Sequence, residues 1–280
     1  MILSTLDKSR KGGAYEQIPS LVLGQRWTPQ LNSRNMMKVV LCVWIEPYIE
    51  NDLSFCVWPV HTPTTSKEVL TLSASTSPLP YTGNKSCIVN TILSVMPKHT
   101  VYIDPCMGSA KVFFRKPRAE KEILNDYNGD LVNLFRVIQN NEKLAYLLGR
   151  LYLSINGELA FKQNKDRLKG VPNILDDVIE TSQIFYDASW EDIQNAAAFL
   201  ENQVYSFSST GQTFGIARRD MSQRLPRLMS AYNRIRDAII LHRDYKDVIT
   251  YAACPGSFIL LDPPYKGTED MYSKANFDIE

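Results

Sequence analysis

Asp262-Pro263-Pro264-Tyr265 joins a carboxylate, two rigid prolines and an aromatic ring, directly after the apolar run Phe258-Ile259-Leu260-Leu261. Four apolar residues bounded by Gly256 and by a double proline read as a short buried strand that stops abruptly. The tetrapeptide then stands at a strand's carboxyl end, where open α/β sheets bind ligands. There the Asp262 carboxylate and the Pro263 carbonyl are fixed acceptors for the exocyclic NH2 of a planar base, and the Tyr265 ring is a stacking surface. Proline leaves little ordering entropy to lose on binding. A proline-stopped strand followed by a surface turn accounts for the four residues equally well, so other segments must discriminate.

A second pair of chemical groups lies upstream. Ile103-Asp104 ends a short apolar strand, and Pro105 leads into a small-residue turn, Gly108-Ser109-Ala110, that lets backbone approach a ligand closely. Asp126, 22 residues after Asp104, closes the next strand-like run, Glu122 to Asn125. A carboxylate roughly 20 residues after such a turn is spaced to accept from a ribose hydroxyl. Turn and acid together point to a nucleoside-type ligand.

From about Pro80 onward the chain resembles the D12 class of DNA N6-adenine methyltransferases, the Dam-like family. Tyr81-Thr82-Gly83-Asn84-Lys85 is similar to the family's opening aromatic-x-Gly-Gly-Lys, with Asn84 in place of the second glycine. Val101 to Ala110 resembles the first-strand motif, with Cys106 in place of an aromatic and Ala110 in place of the last glycine. Ile123 to Asn128 with Asp130 to Phe135 matches the second-strand motif and the helix after it. Tyr205 to Gly215 resembles the family's DNA-side hairpin, and Arg243-Asp244-Tyr245 the segment before the final motif.

The resemblance implies a Rossmann-like S-adenosylmethionine-dependent methyltransferase sheet of α/β class, with a helical target-recognition insertion at about 130–240. It implies methyl transfer from S-adenosylmethionine to N6 of an adenine flipped out of double-stranded DNA, as in restriction-modification, with no metal. Asp262, Pro263, Pro264 and Tyr265 would be catalytic. Tyr81, Lys85, Asp104, Pro105, Gly108, Asp126, Asp244, Tyr245 and Asp262 would hold the donor, and Ser208, Ser209, Gly211, Arg218 and Arg219 would meet DNA. A bacterial or phage-encoded cytoplasmic enzyme is the implied setting.

The family continues past this tetrapeptide with further strands, whereas here Glu280 follows Tyr265 by 15 residues. The expectation is a sheet incomplete at its C-terminus, in which Phe258 to Leu261 leaves an apolar outer edge unpaired. Either a second chain supplies the missing strands, or the chain is an inactive remnant that still binds DNA or the donor. A related group with an Asn-first tetrapeptide methylates glutamine in proteins; Asp262 and the Tyr81 to Lys85 segment argue against it. His242-Arg243-Asp244 imitates a kinase catalytic loop but lacks its Asn and any glycine-rich loop.

The elements that must position these groups are read from pattern. Residues 130 to 153 and 174 to 204 look helical, separated by a turn-rich stretch from Asn156 to Pro172. Met221, Leu225, Leu228, Tyr232, Ile235 and Ile239 form an amphipathic stripe, with Pro226 arguing for a helix start near Leu225. Phe207 to Arg243 carries seven arginines and no lysine, whereas Asp176 to Asn202 carries seven acids and no base. The two segments either pair their charges or expose them; beside the hairpin, Arg218 and Arg219 suit phosphate.

With 280 residues, 44% apolar content and a net charge of +1, the chain can bury one or two cores. Five cysteines without a CxxC pair and three scattered histidines describe neither a disulfide frame nor a zinc site. His61 and His99 read as exposed. No segment approaches 18 apolar residues, and the amino terminus lacks an apolar leader. Residues 1–79 are unassigned, with a Ser/Thr/Pro-rich linker at 61–80 and a hint of buried structure around Trp44, Phe55 and Trp58. Met36 and Met37 are alternative starts.

Overall fold

The computed structural model describes residues 41–45, 55–59, 76–81, 87–176, 188–217 and 219–263. In chain order these form β1 (Leu41–Ile45), β2 (Phe55–Pro59), α1 (Val89–Val95), β3 (Val101–Asp104), α2 (Lys111–Arg115), β4 (Lys121–Asn125) and α3 (Gly129–Gln139). There follow α4 (Asn141–Tyr152), α5 (Glu158–Lys169), α6 (Trp190–Tyr205), α7 (Leu225–Ile235), β5 (Ile239–Leu241), α8 (Tyr245–Ala252) and β6 (Ser257–Leu261).

The strands make one sheet in the order β2-β1-β6-β3-β4-β5. β6, β3, β4 and β5 are mutually parallel, and the β1–β2 hairpin adds to β6 in antiparallel fashion. The result is a mixed α/β, Rossmann-like sheet. Alternation along the strands divides the core between its two faces. Tyr102, Leu124, Ile240, Phe258 and Leu260 pack under α1 to α4, α6 and α7, whereas Ile103, Ile123, Leu241 and Ile259 pack against Val248 and Ala252 of α8.

Side chains set the helix ends. Asn128, Asn140 and Asp244 each accept a backbone N–H in the first turn of α3, α4 and α8, and Ser189 with Asp192 forms a reciprocal capping box on α6. Pro226 stands in the first turn of α7, where its missing N–H costs nothing, as the start near Leu225 requires. Gln139 of α3 donates to the carbonyls of Ile235, Arg236 and Ala238, closing the end of α7.

Several expectations are corrected. The outer edge of β6 is not bare, because β1 pairs along it from Leu41↔Leu261 to Trp44↔Phe258. The stretch from Asn156 to Pro172 contains a helix, α5, whose Glu, Lys, Gln and Arg content favours helix while only Phe161 and Leu168 are buried. Residues 130 to 153 are two helices broken at Asn140, whose extended backbone ends α3 and caps α4. Within the span 174 to 204, residues 174–176 are irregular and helix begins at Trp190; 177–187 lie outside the described residues. Ile239, read as the last member of the α7 stripe, instead opens β5. His99 is half-buried, its ring 5.4 Å from that of Phe258.

Candidate active site at the carboxyl edge of the sheet

The chain runs from β3 outward to β4 and β5, then returns through α8 to β6 on the other side of β3. That reversal places the crevice of the sheet between the carboxyl ends of β3 and β6. Asp104 is the last residue of β3, and Pro105 and Cys106 follow it; Asp262 and Pro263 follow β6 and are half-buried. Asp126 directly follows β4, and Asp244 comes three residues after β5. Each parallel strand therefore delivers one carboxylate to the same edge. Their convergence is felt at Cys106: burial pushes its thiol well up, and Asp126, Asp104, Asp262 and Asp244 push it further.

The β3 turn is built by backbone. Met107 donates to the carbonyl of Asn125 at 2.8 Å, Ala110 donates to that of Met107 at 2.7 Å, and Ser77 Oγ donates to that of Ser109 at 2.6 Å. Gly108 has φ +49, a left-handed conformation that suits glycine. Ala110, with φ 51, adopts it at a cost, beneath a buried methyl. Tyr81 lies over this turn; Asn128 Nδ2 reaches its hydroxyl at 3.4 Å.

Asp126 is gripped from two sides. Its Oδ2 accepts from the Gly108 amide and its Oδ1 from the Asn128 amide, both at 2.9 Å. Burial nevertheless pushes its carboxyl up to about 6, against the lowering pull of the amides of Asn128, Gly108 and Tyr127. With three amides on its roughly four lone-pair sites, the carboxylate keeps one for a ligand hydroxyl.

Asn125 is a residue that sequence reading did not single out. Fully buried at the end of β4, it donates to the carbonyls of Pro105 and Arg243 at 2.8 and 2.9 Å and accepts from the Arg243 amide at 2.9 Å. One carboxamide thus stitches the carboxyl ends of β3, β4 and β5 together. A polar amide closing an apolar strand was the available signal. Asn125→Ala strands three backbone groups inside the protein and is expected to cost about 3 kcal/mol of stability, read as a fall in the urea midpoint.

A parallel network fixes the loops behind the site. Arg136 grips Asp176, whose carboxylate also accepts from the His242 amide, and His242 Nε2 lies 3.1 Å from the Tyr127 carbonyl. Burial lowers the pKa of His242. Tyr245, first in α8, has its phenol pushed up by burial, with Asp244 and Cys106 adding to it. Asp244 itself accepts from the Lys246 amide at 2.8 Å.

The segment from Tyr205 to Gly215 closes on itself through one antiparallel bridge, Ser206↔Phe214, rather than a long hairpin. Phe207 donates to the Thr213 carbonyl and Gly215 to that of Tyr205, both at 2.8 Å. Ser208 and Ser209 take positive φ, and Gly211, at φ +72, leaves room for Gln203, whose Nε2 would stand 2.8 Å from an added Cβ. Ser208 is exposed, Phe207 is 67% and Ile216 97% exposed, and the loop forms a projecting face. Arg219 donates a guanidinium N–H to the Val204 carbonyl. Arg234 is buried against Glu122, so part of the arginine run is structural. The acids Asp176 and Glu201 pair with Arg136 and Arg150 of α3 and α4.

Lys85, Pro264, Tyr265 and Arg218 lie outside the described residues, as does His61. Among the described residues no group of three or more metal-ligating side chains occurs, and no helix is long and apolar enough to cross a membrane.

Comparison with known proteins agrees with this architecture. The model of the D12 class N6 adenine-specific DNA methyltransferases matches residues 81–279. Modification methylase StsI of Streptococcus sanguinis is 25% identical over 210 residues, covering 70% of this chain and 30% of that protein. Type II methyltransferase M1.LlaDCHI of Lactococcus lactis subsp. cremoris is 23% identical over 192 residues, covering 66% of this chain and 64% of that protein. The chain thus spans less than two thirds of either relative's length. With a family match running over most of its length, the chain belongs to the D12 class N6 adenine-specific DNA methyltransferases.

Proposed function

We propose that this chain transfers a methyl group from S-adenosylmethionine to N6 of adenine in duplex DNA. The observation that carries the reading is the convergence of Asp104, Asp126, Asp244 and Asp262 around Cys106, with Asp262-Pro263 closing a buried strand. An edge with four carboxylates suits a ligand bearing a sulfonium and an ammonium, and Asp126 retains a lone pair for a ribose hydroxyl. The donor set therefore fits the methyl donor, which supplies an electrophilic methyl carbon on a positively charged sulfur.

In this reading Asp104, Pro105, Gly108, Asp126, Asp244 and Tyr245 hold the donor, with Tyr81 and Lys85 at its amino-acid end. Asp262 and the Pro263 carbonyl accept from the adenine NH2. This draws the nitrogen lone pair out of ring conjugation and aims it; Pro264 keeps the acceptors rigid and Tyr265 stacks on the base. Adenine must leave the duplex to reach them, at an unstacking cost of a few kcal/mol. Ser208, Ser209 and Gly211 of the projecting loop, with Arg218 and Arg219, meet the DNA backbone. The setting is the cytoplasm of a bacterium or of a phage-infected cell.

The test is incubation with methyl-labelled donor and DNA, followed by nucleoside mass spectrometry. N6-methyladenine is the expected product, and label on cytosine or none at all overturns the reading. The same reading predicts a pH dependence. Above about pH 6 Asp126 is ionised and donor affinity is flat; as pH falls through 6 the carboxylate is lost and affinity declines toward about tenfold per unit. Titration calorimetry from pH 5 to 8 checks this, and Asp126→Asn should bind weakly with no such slope.

A further inference from the structure

The ladder that β3 offers to β6 runs from Val101↔Ser257 to Ile103↔Ile259 and stops there. The last two residues before Asp262 are registered instead with β1, as Cys42↔Leu260 and Leu41↔Leu261. All five residues of β6 are buried, so its backbone groups depend on strand partners for hydrogen bonds. β1 and its hairpin mate β2 lie before residue 81, where the family match begins. Their sequences repeat Cys-Val-Trp, which pair antiparallel as Cys42↔Trp58, Val43↔Val57 and Trp44↔Cys56.

We infer that the β1–β2 hairpin is a positioning element of the active site. It is supplied from outside the family-matched part of the chain, and its inner strand β1 holds the end of β6 and so fixes where Asp262 and Pro263 stand. Without it, Leu260 and Leu261 would lead into the acceptor pair with no strand beside them, and an apolar edge would be open to other chains. The pairing is a statement about the fold; its effect on methyl transfer rests on the reading above.

Residue-resolved amide exchange on the full chain tests it. Successive residues of a strand point their N–H groups to opposite sides. The double substitution Cys42→Pro with Val43→Pro therefore removes one donor toward β6 and one toward β2, whichever way the strand is phased. The expected result is loss of protection at whichever of residues 260 and 261 points its N–H to β1, with Lys121–Asn125 unchanged. Unaltered protection at 260 and 261 overturns the inference. If the variant opens globally, Leu260→Cys decides, because antiparallel Cα partners stand at disulfide distance. Mild oxidation should give a bond from Cys42 to position 260 within one chain; no bond, or a bond between chains only, overturns it. Should the chain methylate DNA, the proline variant is expected to lose about tenfold or more in kcat while donor Kd changes less than about twofold, since β3 and β4 are untouched. The exchange and disulfide results stand whether or not the methyl-transfer reading does.

Discussion

Asp262→Ala should lower methyl transfer about 10²- to 10³-fold, the loss typical of removing one group that stabilises developing charge. In the proposed chemistry the adenine nitrogen becomes positive as it takes the methyl, and the Asp262 carboxylate is the anion beside it. Alanine deletes both charge and acceptor. Asp262→Asn keeps the size and one acceptor oxygen but no charge, and its rate should fall between wild type and the alanine variant. Asp262 is half-buried at a strand end, so unfolding by urea should move little in either variant. Single-turnover rates with labelled donor measure the effect, and Asp262→Ala methylating at the normal rate would sink the assignment.

Glu122→Ala is expected to destabilise the fold by about 3–5 kcal/mol, the cost of stranding a buried charge. Glu122, on β4, accepts from Arg234 of α7 at 2.7 Å and from Lys116 at 2.5 Å. Arg234 also lies 3.7 Å over the Phe113 ring, and Lys116 4.5 Å over that of Tyr102. Burial already pushes Lys116 down to about 8, opposed chiefly by Glu122. Once Glu122 is gone, Lys116 can shed its proton near neutral pH, whereas Arg234 cannot. Arg234 is therefore the charge left unpaired, and Glu122→Ala with Arg234→Met should recover much of the loss. Burial raises the Glu122 carboxyl, yet Arg234 and Lys116 outweigh it and hold it below 4.5. Its contribution is therefore present above that value and is lost as pH falls below it. Urea titrations of the single and double variants measure both effects.

The strands of the candidate site were legible because glycine and proline punctuate them: Gly256 before Phe258, the double proline after Asp262, Pro105 after Asp104. Local signals of that kind also located Asp126 and the start of α7 at Leu225. α5 escaped because its polar run has few apolar positions, and 174–176, which are irregular, were drawn into the helical span that ends in α6. Asn125 escaped because the amide that closes β4 bonds backbone groups of Pro105 and Arg243, just past the ends of β3 and β5, and its local signal names neither. The β1–β2 hairpin left a trace in the doubled Cys-Val-Trp, but its partner strand lies at the far end of the chain. The edge of β6 thus read as bare when the strand that covers it had already gone by.

That distance orders the events of folding. Leu41 leaves the ribosome long before Leu261 is made, so the hairpin must wait while the parallel strands and the helical insertion are synthesised. An isolated two-stranded hairpin is at best marginally stable in water, and closing so long a loop is slow. The sheet should therefore assemble from β3, β4 and β5, with β6 and β1 joining last and together. Until they do, Asp262 has no fixed position, and the edge of β6 is the part of the nascent protein most exposed to aggregation or to capture by a chaperone.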